Sequence, residues 1–203
     1  MIKINIVWIT MVLFVLLSAC QSTSDNQSTS TSTSTSTTQK PAQEKSVEAI
    51  QIDQEATTAL NKLYATDSSA KILGQKAVGI LVFPSILKAG FIAGAQYGKG
   101  ALLQGGKTVG YYNSIAASYG LQAGVQQFGY VLFFMNTDAL SYIDNSSGWE
   151  IGVGPSLVVV DEGFGKVLSS TTLKDDIYAI VFDQKGLMAG LGIQGTKITK
   201  IDP

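Results

Sequence analysis

The sequence predicts an α+β domain, with N-terminal helices packed on a strongly curved, glycine-rich antiparallel sheet or barrel-like sheet. Three observations predict it. Apolar residues recur at helical spacing over Ser46–Tyr64 and every second residue after Gly74. All 21 glycines fall between Gly74 and Gly195, several sharing one face of a strand. Strand follows strand without the crossover helices that parallel pairing needs.

The elements follow in order. Ser46–Tyr64 places Ala49, Ile52, Ala56, Ala59, Leu60 and Leu63 on one helix face, with Ser46 as N-cap. Its polar face is acidic rather than lysine-rich, which favours packing on the sheet over docking on anionic lipid. Asp67 caps a second short helix, Ser68–Leu73, which Gly74 ends. Ala77–Phe83 is an apolar strand stopped by Pro84. Ala89–Leu103 alternates, with Phe91, Ala93, Ala95, Tyr97 and Ala101 on one face and Gly90, Gly94, Gly98 and Gly100 on the other. Pro84–Lys88 between them reads as a connection. It either packs back on the core or presents Ile86 and Leu87 beside Lys88 as a tip that inserts shallowly among headgroups.

Further strands are expected at Thr108–Ser118, Tyr119–Gln126, Gly129–Asn136, Trp149–Val153, Leu157–Val160, Asp176–Phe182 and Leu187–Ile193. Val131–Met135 is apolar throughout, as a central strand covered on both sides would be. Thr137 caps a short helix to Ile143, and Asp183–Gly186 reads as a hairpin turn. Gly152 and Gly154 share a strand face, as do Gly190 and Gly192. Glycine repeated on one face points to curvature and close backbone approach, with a glycine-lined ligand groove as the alternative. Tyr97, Tyr111, Tyr112 and Tyr119 either line a site or cover the sheet.

The N-terminus reads separately. Lys3, the apolar run Ile4–Leu17 and Leu17-Ser18-Ala19-Cys20 form a secretory leader whose end resembles the lipobox of bacterial lipoproteins. Residues 1–19 are then the signal peptide and Cys20 the lipidated N-terminus. Acyl chains in pairs or more hold a protein firmly on its membrane. Gln21 follows Cys20 rather than Asp, a pattern sorted to the outer membrane, facing the periplasm, if the cell has two membranes. Residues 20–45 form a tether: from Ser22 to Thr38, all but Asp25, Asn26 and Gln27 are Ser or Thr, with nothing apolar to bury. A single domain, 46–203, follows.

Composition excludes much chemistry. There is no histidine, and Cys20 is the only cysteine, so no metal, haem or other cofactor is expected. Without Lys3, 14 − 1 leaves 13 basic residues against 15 acidic ones, with no basic run for nucleic acid. Gly98-Lys99-Gly100 and Gly105-Gly106-Lys107 lack the strand–loop–helix context of a phosphate loop and read as turns or exposed edges. Gly154-Pro155-Ser156 is not a nucleophile elbow, and no histidine base exists. No enzymatic activity is expected.

The run from Ile80 to Gly100, ILVFPSILKAGFIAGAQYGKG, resembles the SYLF domain family, which includes bacterial lipoproteins and eukaryotic lipid-binding and actin-bundling proteins. Ser118–Gly124, Val131–Asn136 and Lys185–Gly190 fit the same pattern, so the resemblance runs from the first helix to about residue 200. It implies phosphoinositide or other lipid binding, with membrane-linked actin work in eukaryotes. Lipid contacts implied on its first motif are Pro84, Ile86, Leu87, Lys88, Phe91, Tyr97 and Lys99. Asp161–Ser170 has little of the family's small-residue pattern, and the leader makes actin an unexpected neighbour. The expectation is a non-enzymatic cell-envelope lipoprotein, anchored to its membrane at Cys20, whose domain binds lipid or a membrane surface. The alternative is a structural or protein-interaction lipoprotein without a specific lipid ligand.

Overall fold

The computed structural model describes residues 45–119, 124–145, 148–160, 173–186 and 195–203. The leader, Cys20, the tether, Gly120, Asp161–Ser170 and the strand expected at Leu187–Ile193 lie outside the described residues.

Helix α1 spans Val47–Thr66, and the Ser46 Oγ accepts from the Ala49 N–H at 3.0 Å, as an N-cap should. Its stripe of Ala49, Ile52, Ala56, Leu60 and Leu63 is buried against the sheet. Asp67 breaks the chain and starts α2 (Ser68–Lys76), its carboxylate accepting from the N–H groups of Ser69 and Ala70. Gly74 does not end this helix, which runs two residues further. The Tyr64 ring lies on Gly74, where a Cβ would sit 2.0 Å from its hydroxyl. That glycine lets α1 and α2 touch.

Strands β1 (Gly79–Gly90), β2 (Ala93–Gln104) and β3 (Lys107–Tyr119) form a meander, and β4 (Gly124–Phe134) returns to pair on the other side of β1. Helix α3 (Thr137–Asn145), β5 (Trp149–Glu150), β6 (Leu157–Val160), β7 (Ile177–Gly186) and β8 (Lys197–Ile201) follow. The described strands make one eight-stranded sheet in the order β5–β8–β3–β2–β1–β4–β7–β6. Its pairs are antiparallel except β6 with β7.

The sheet is strongly curved, a half-barrel with the N-terminal helices on its convex side. One bond shows the curvature. The Tyr130 hydroxyl of β4 donates to Ser114 Oγ of β3 at 2.8 Å, although β1 and β2 lie between these strands. In a flat sheet β3 and β4 would stand about 14 Å apart, beyond the reach of the two side chains. On the concave side, Leu81, Phe83, Leu102 and Leu132 pack with Trp149 and with Leu140 and Ile143 of α3. On the convex side, Val82, Ala101, Val131 and Ile180 pack under α1 and α2. Strand β4 is thus covered on both faces, with Val131–Phe134 fully buried.

Several sequence expectations are corrected. Pro84 does not end β1; the strand passes through it by a bulge, with register shifts between Val82 and Leu87 against β2 and between Phe83 and Ile86 against β4. A bulge tolerates proline because a ladder donor is not needed there. Glycines in both neighbours accept the displaced backbone. A Cβ at Gly98 of β2 would lie 2.4 Å from the Ser85 carbonyl, and one at Gly129 of β4 would lie 2.9 Å from that of Pro84. Gly98-Lys99-Gly100 is therefore interior strand, not a turn or edge. At these positions the glycines serve curvature and close approach rather than a groove. Gly105-Gly106, both at positive φ, does form the two-residue β2–β3 turn.

The alternation of Ala89–Leu103 hides a tight hairpin turn at Phe91-Ile92. The two segments expected at Tyr119–Gln126 and Gly129–Asn136 merge into β4. Asn136, not Thr137, caps α3, its Oδ1 accepting from the Ala139 N–H at 2.8 Å. Gly152 and Gly154 lie beyond β5 at positive φ. Asp183–Gly186 belongs to β7 rather than a hairpin turn, with Asp183 at φ 52° where the register slips. Strand β8 was not expected.

Candidate functional site: the uncovered half of the convex face

Strands β1–β4 have two ends. The near end carries the Gly105-Gly106 turn and lies under α1 and α2. The far end carries the Phe91-Ile92 turn, and no described helix covers its convex side. Lys99 marks the boundary, bonded to Glu48 in the first turn of α1. That hydrogen bond raises the Lys99 pKa above its ordinary value.

Beyond Lys99 the convex face is apolar on β1, β2 and β3, with Gln127 of β4 exposed beside Leu87, and the ladder sets its rows. Leu87 of β1 stands opposite Tyr97 of β2, and Tyr97 opposite Ile115 of β3. The next row is Val125, Ala89, Ala95 and Ala117; the last pairs Ala93 with Tyr119. Leu87 is 54% exposed, Tyr97 47%, Ile115 46% and Tyr119 87%. Phe91 and Ile92 stand exposed at the turn. Lys185 of β7 and Lys197 of β8 flank the first row, with Glu150 opposite Lys197.

The concave side of the same far half is polar. Lys88, Gln96 and Gln126 form one cross-strand row, each under a tenth exposed. Gln96 Nε2 donates to Thr196 Oγ1 at 3.0 Å. The usual polarity of a half-buried sheet is inverted here, with apolar side chains outward and polar ones inward. Transmembrane barrels show the same alternation.

The sequence-derived candidates therefore separate. Leu87, Phe91 and Tyr97 share the exposed convex surface. Lys99 sits at its border, engaged with Glu48. Lys88 faces the interior, Ile86 is fully buried in the concave core, and Pro84 is part of the bulge. No exposed loop tip of Ile86, Leu87 and Lys88 exists. Sequence reasoning missed Ile92, Ile115 and Val125 as surface residues. The signal that could have found them is the register of Lys88, Gln96 and Gln126, which turns their neighbours outward. Of the four tyrosines singled out, Tyr97 and Tyr119 are on this surface, and Tyr111 packs against the helix-covered core. Tyr112 is buried on the concave side; burial first, then its bond to Asp144, raises its pKa.

Other features offer less. An open cavity of about 510 Å³ between α1, α2 and the β2–β3 turn, lined by Leu60, Asn61, Tyr64 and Leu103, has no charged side chain. Among the described residues no group of three or more Cys, Asp or Glu could hold a metal ion, and no helix is long and apolar enough to cross a membrane.

Residues 115–202 match the family model described as Ysc84: Las17-binding protein actin regulator. No curated protein matches the chain. The match runs from the exposed row at Ile115, through β4 and α3, to the end of β8. Over that part of its length, the chain is similar to the SYLF/Ysc84 family.

Proposed function

We infer that the domain associates with a lipid surface through the uncovered convex half of β1–β4. The observation that carries this reading is the continuous exposed apolar face from Leu87, Tyr97 and Ile115 out to Phe91 and Tyr119. Exposed apolar patches of this kind mark interaction sites. The shape favours lipid over a second copy. Two convex faces touch along a narrow strip, whereas a bilayer interface deforms around a convex, alanine-rich surface. Tyr97 and Tyr119 suit the headgroup boundary, with apolar rings and polar tips. The SYLF/Ysc84-like match supports lipid association in general.

In this reading the chain is a lipoprotein of the cell envelope. Its leader is cleaved before Cys20, and the lipidated cysteine anchors it, on the outer membrane facing the periplasm in a cell with two membranes. The tether then keeps the domain at high local concentration over the bilayer. Leu87, Phe91 and Tyr97 make the contact, and phosphoinositide selectivity is not required for it. The domain works without catalysis, and actin is not its partner.

The test is co-sedimentation with phosphatidylcholine/phosphatidylglycerol vesicles, comparing the chain without residues 1–20 with its Leu87→Ser/Tyr97→Ser/Ile115→Ser variant. The expected result is vesicle binding by the first and at least a tenfold loss in the variant, with unchanged unfolding. Equal binding by both, or none by either, would sink the reading.

A further inference from the structure

The near end of the sheet holds a space that the lipid contact does not use. An open cavity of about 510 Å³ lies between α1, α2 and the β2–β3 turn, within the range of about 300–1,000 Å³ typical of small-ligand sites. Thr57, Leu60, Asn61 and Tyr64 reach it from one face of α1, at helical positions i, i+3, i+4 and i+7. Leu60 and Leu103, each 8% exposed, and the half-buried ring of Tyr64 give it an apolar floor. Thr57, Asn61 and Gln75, all exposed, give it a polar rim. Gly105 and Gly106 also line it; a Cβ on either would meet nothing within 4 Å, so the turn presents bare backbone to this space.

Three features define what fits. No charged side chain lines the cavity, and Lys62, next to Asn61 on α1, is engaged by Asp183 at 2.7 Å. A charged ligand would shed hydration there without a counter-charge. Among the described residues, no hydrogen bond engages the side chain of Thr57, Asn61, Tyr64 or Gln75. Each of these groups both donates and accepts, and burial raises the Tyr64 pKa, so its hydroxyl keeps its proton. The cavity is also open, so an occupant keeps one side in water. A purely apolar ligand would leave part of its own surface wet and the rim unused.

We propose that this cavity binds a short neutral saccharide. A pyranose ring carries an apolar C–H face and a perimeter of hydroxyls, each of which donates and accepts. The C–H face seats on Leu60, Leu103 and the Tyr64 ring. The hydroxyls pair with Thr57, Asn61 and Gln75. The site lies at the opposite end of the strands from the surface proposed to meet lipid, so each stands without the other.

Titration calorimetry on the full chain tests this with maltose, cellobiose and N,N′-diacetylchitobiose. The uronic-acid counterpart of whichever binds, and benzyl alcohol, serve as controls. The expected result is saturable one-to-one binding of at least one neutral disaccharide, about tenfold tighter than its uronic acid. Asn61→Ala removes one donor and one acceptor from an exposed position and should weaken binding about tenfold. Thr57→Trp, also at an exposed position, fills the space and should abolish binding. Both leave the buried stripe of α1 intact, so urea unfolding should stay near wild type. Silence from all three disaccharides at millimolar concentration, wild-type affinity in either variant, equal binding of the uronic acid, or binding of benzyl alcohol alone each overturns the proposal. If Thr57→Trp does not fold, Asn61→Ala decides. Vesicle binding without saccharide binding refutes this proposal and leaves the lipid contact standing.

Discussion

The near and far halves of β1–β4 are built from the same four strands and obey opposite rules. In the near half both faces are apolar and both are covered, by α1 and α2 on the convex side and by α3 and Trp149 on the concave side. In the far half the convex face is apolar on β1, β2 and β3 and exposed, and the concave face is polar and buried. Burial of apolar area drives folding, so the near half supplies stability. The far half leaves its apolar convex area exposed, where the proposed lipid contact would form. In that proposal, stability and function are divided along each strand rather than between domains.

The sharpest way to break this comparison is one truncation in each half. Phe83 is fully buried, its ring 4.7 Å from that of Tyr130. Phe83→Ala should cost about 3–5 kcal/mol in urea unfolding. Leu87→Ala, four residues along the same strand and 54% exposed, should stay within about 0.5 kcal/mol of wild type. Similar losses from the two would show that something covers the far face in the folded chain.

A smaller effect tests the seam between the halves. Gly98→Ala drives a Cβ to 2.4 Å from the Ser85 carbonyl, a backbone atom that cannot swing away. Overpacking of this kind should cost about 1–3 kcal/mol. Gly105→Ala in the open turn meets nothing within 4 Å and carries only the strain of positive φ, so it should cost less. If Gly98→Ala is the milder of the two, the bulge is not held by its neighbours' glycines.

The smallest effect is acid sensitivity, which should belong to the near half and its edges. Burial raises the Asp144 pKa, but bonds from Tyr112 and Lys200 outweigh it and hold the carboxyl below its ordinary value. Asp176 is held low by the Ser156 N–H first, then by Asn136 and the Ser156 hydroxyl. A depressed carboxyl contributes stability that is present above its unfolded value, about 3.9, and lost as pH falls through the lower folded value. Stability should therefore decline below about pH 4, and Asp176→Asn should flatten that decline. An unchanged slope in the variant would remove Asp176 from the account.

The fold class was legible because helical and strand periods are separated along the chain, and α1 carried its cap, Ser46, in plain view. The far half was harder. The Phe91-Ile92 turn has two apolar residues and continues the alternation of its flanks, so it reads as strand. Pro84 reads as a stop because the bulge that tolerates it depends on Gly98 and Gly129, which only tertiary pairing brings alongside. Strand β8 is five residues long and flanked by charge, too brief for periodicity to speak. The site residues were found in part. Leu87, Phe91 and Tyr97 sit in one run, but Ile115, Tyr119 and Val125 join them only through register.

The bulge in β1 has a heritable consequence. Leu81 and Phe83 face inward before it, as do Ile86 and Lys88 after it, so the inward set moves from odd to even numbers between Phe83 and Ile86. Loss of the single codon at Ser85 would close that three-residue step to two, leaving Ile86 and Lys88 inward and Leu87 outward. It would also set Pro84 in a regular ladder between two paired neighbours, where its missing N–H is a lost donor. The extra residue thus decides whether the middle of the sheet can carry a proline at all, and one in-frame step would remove it.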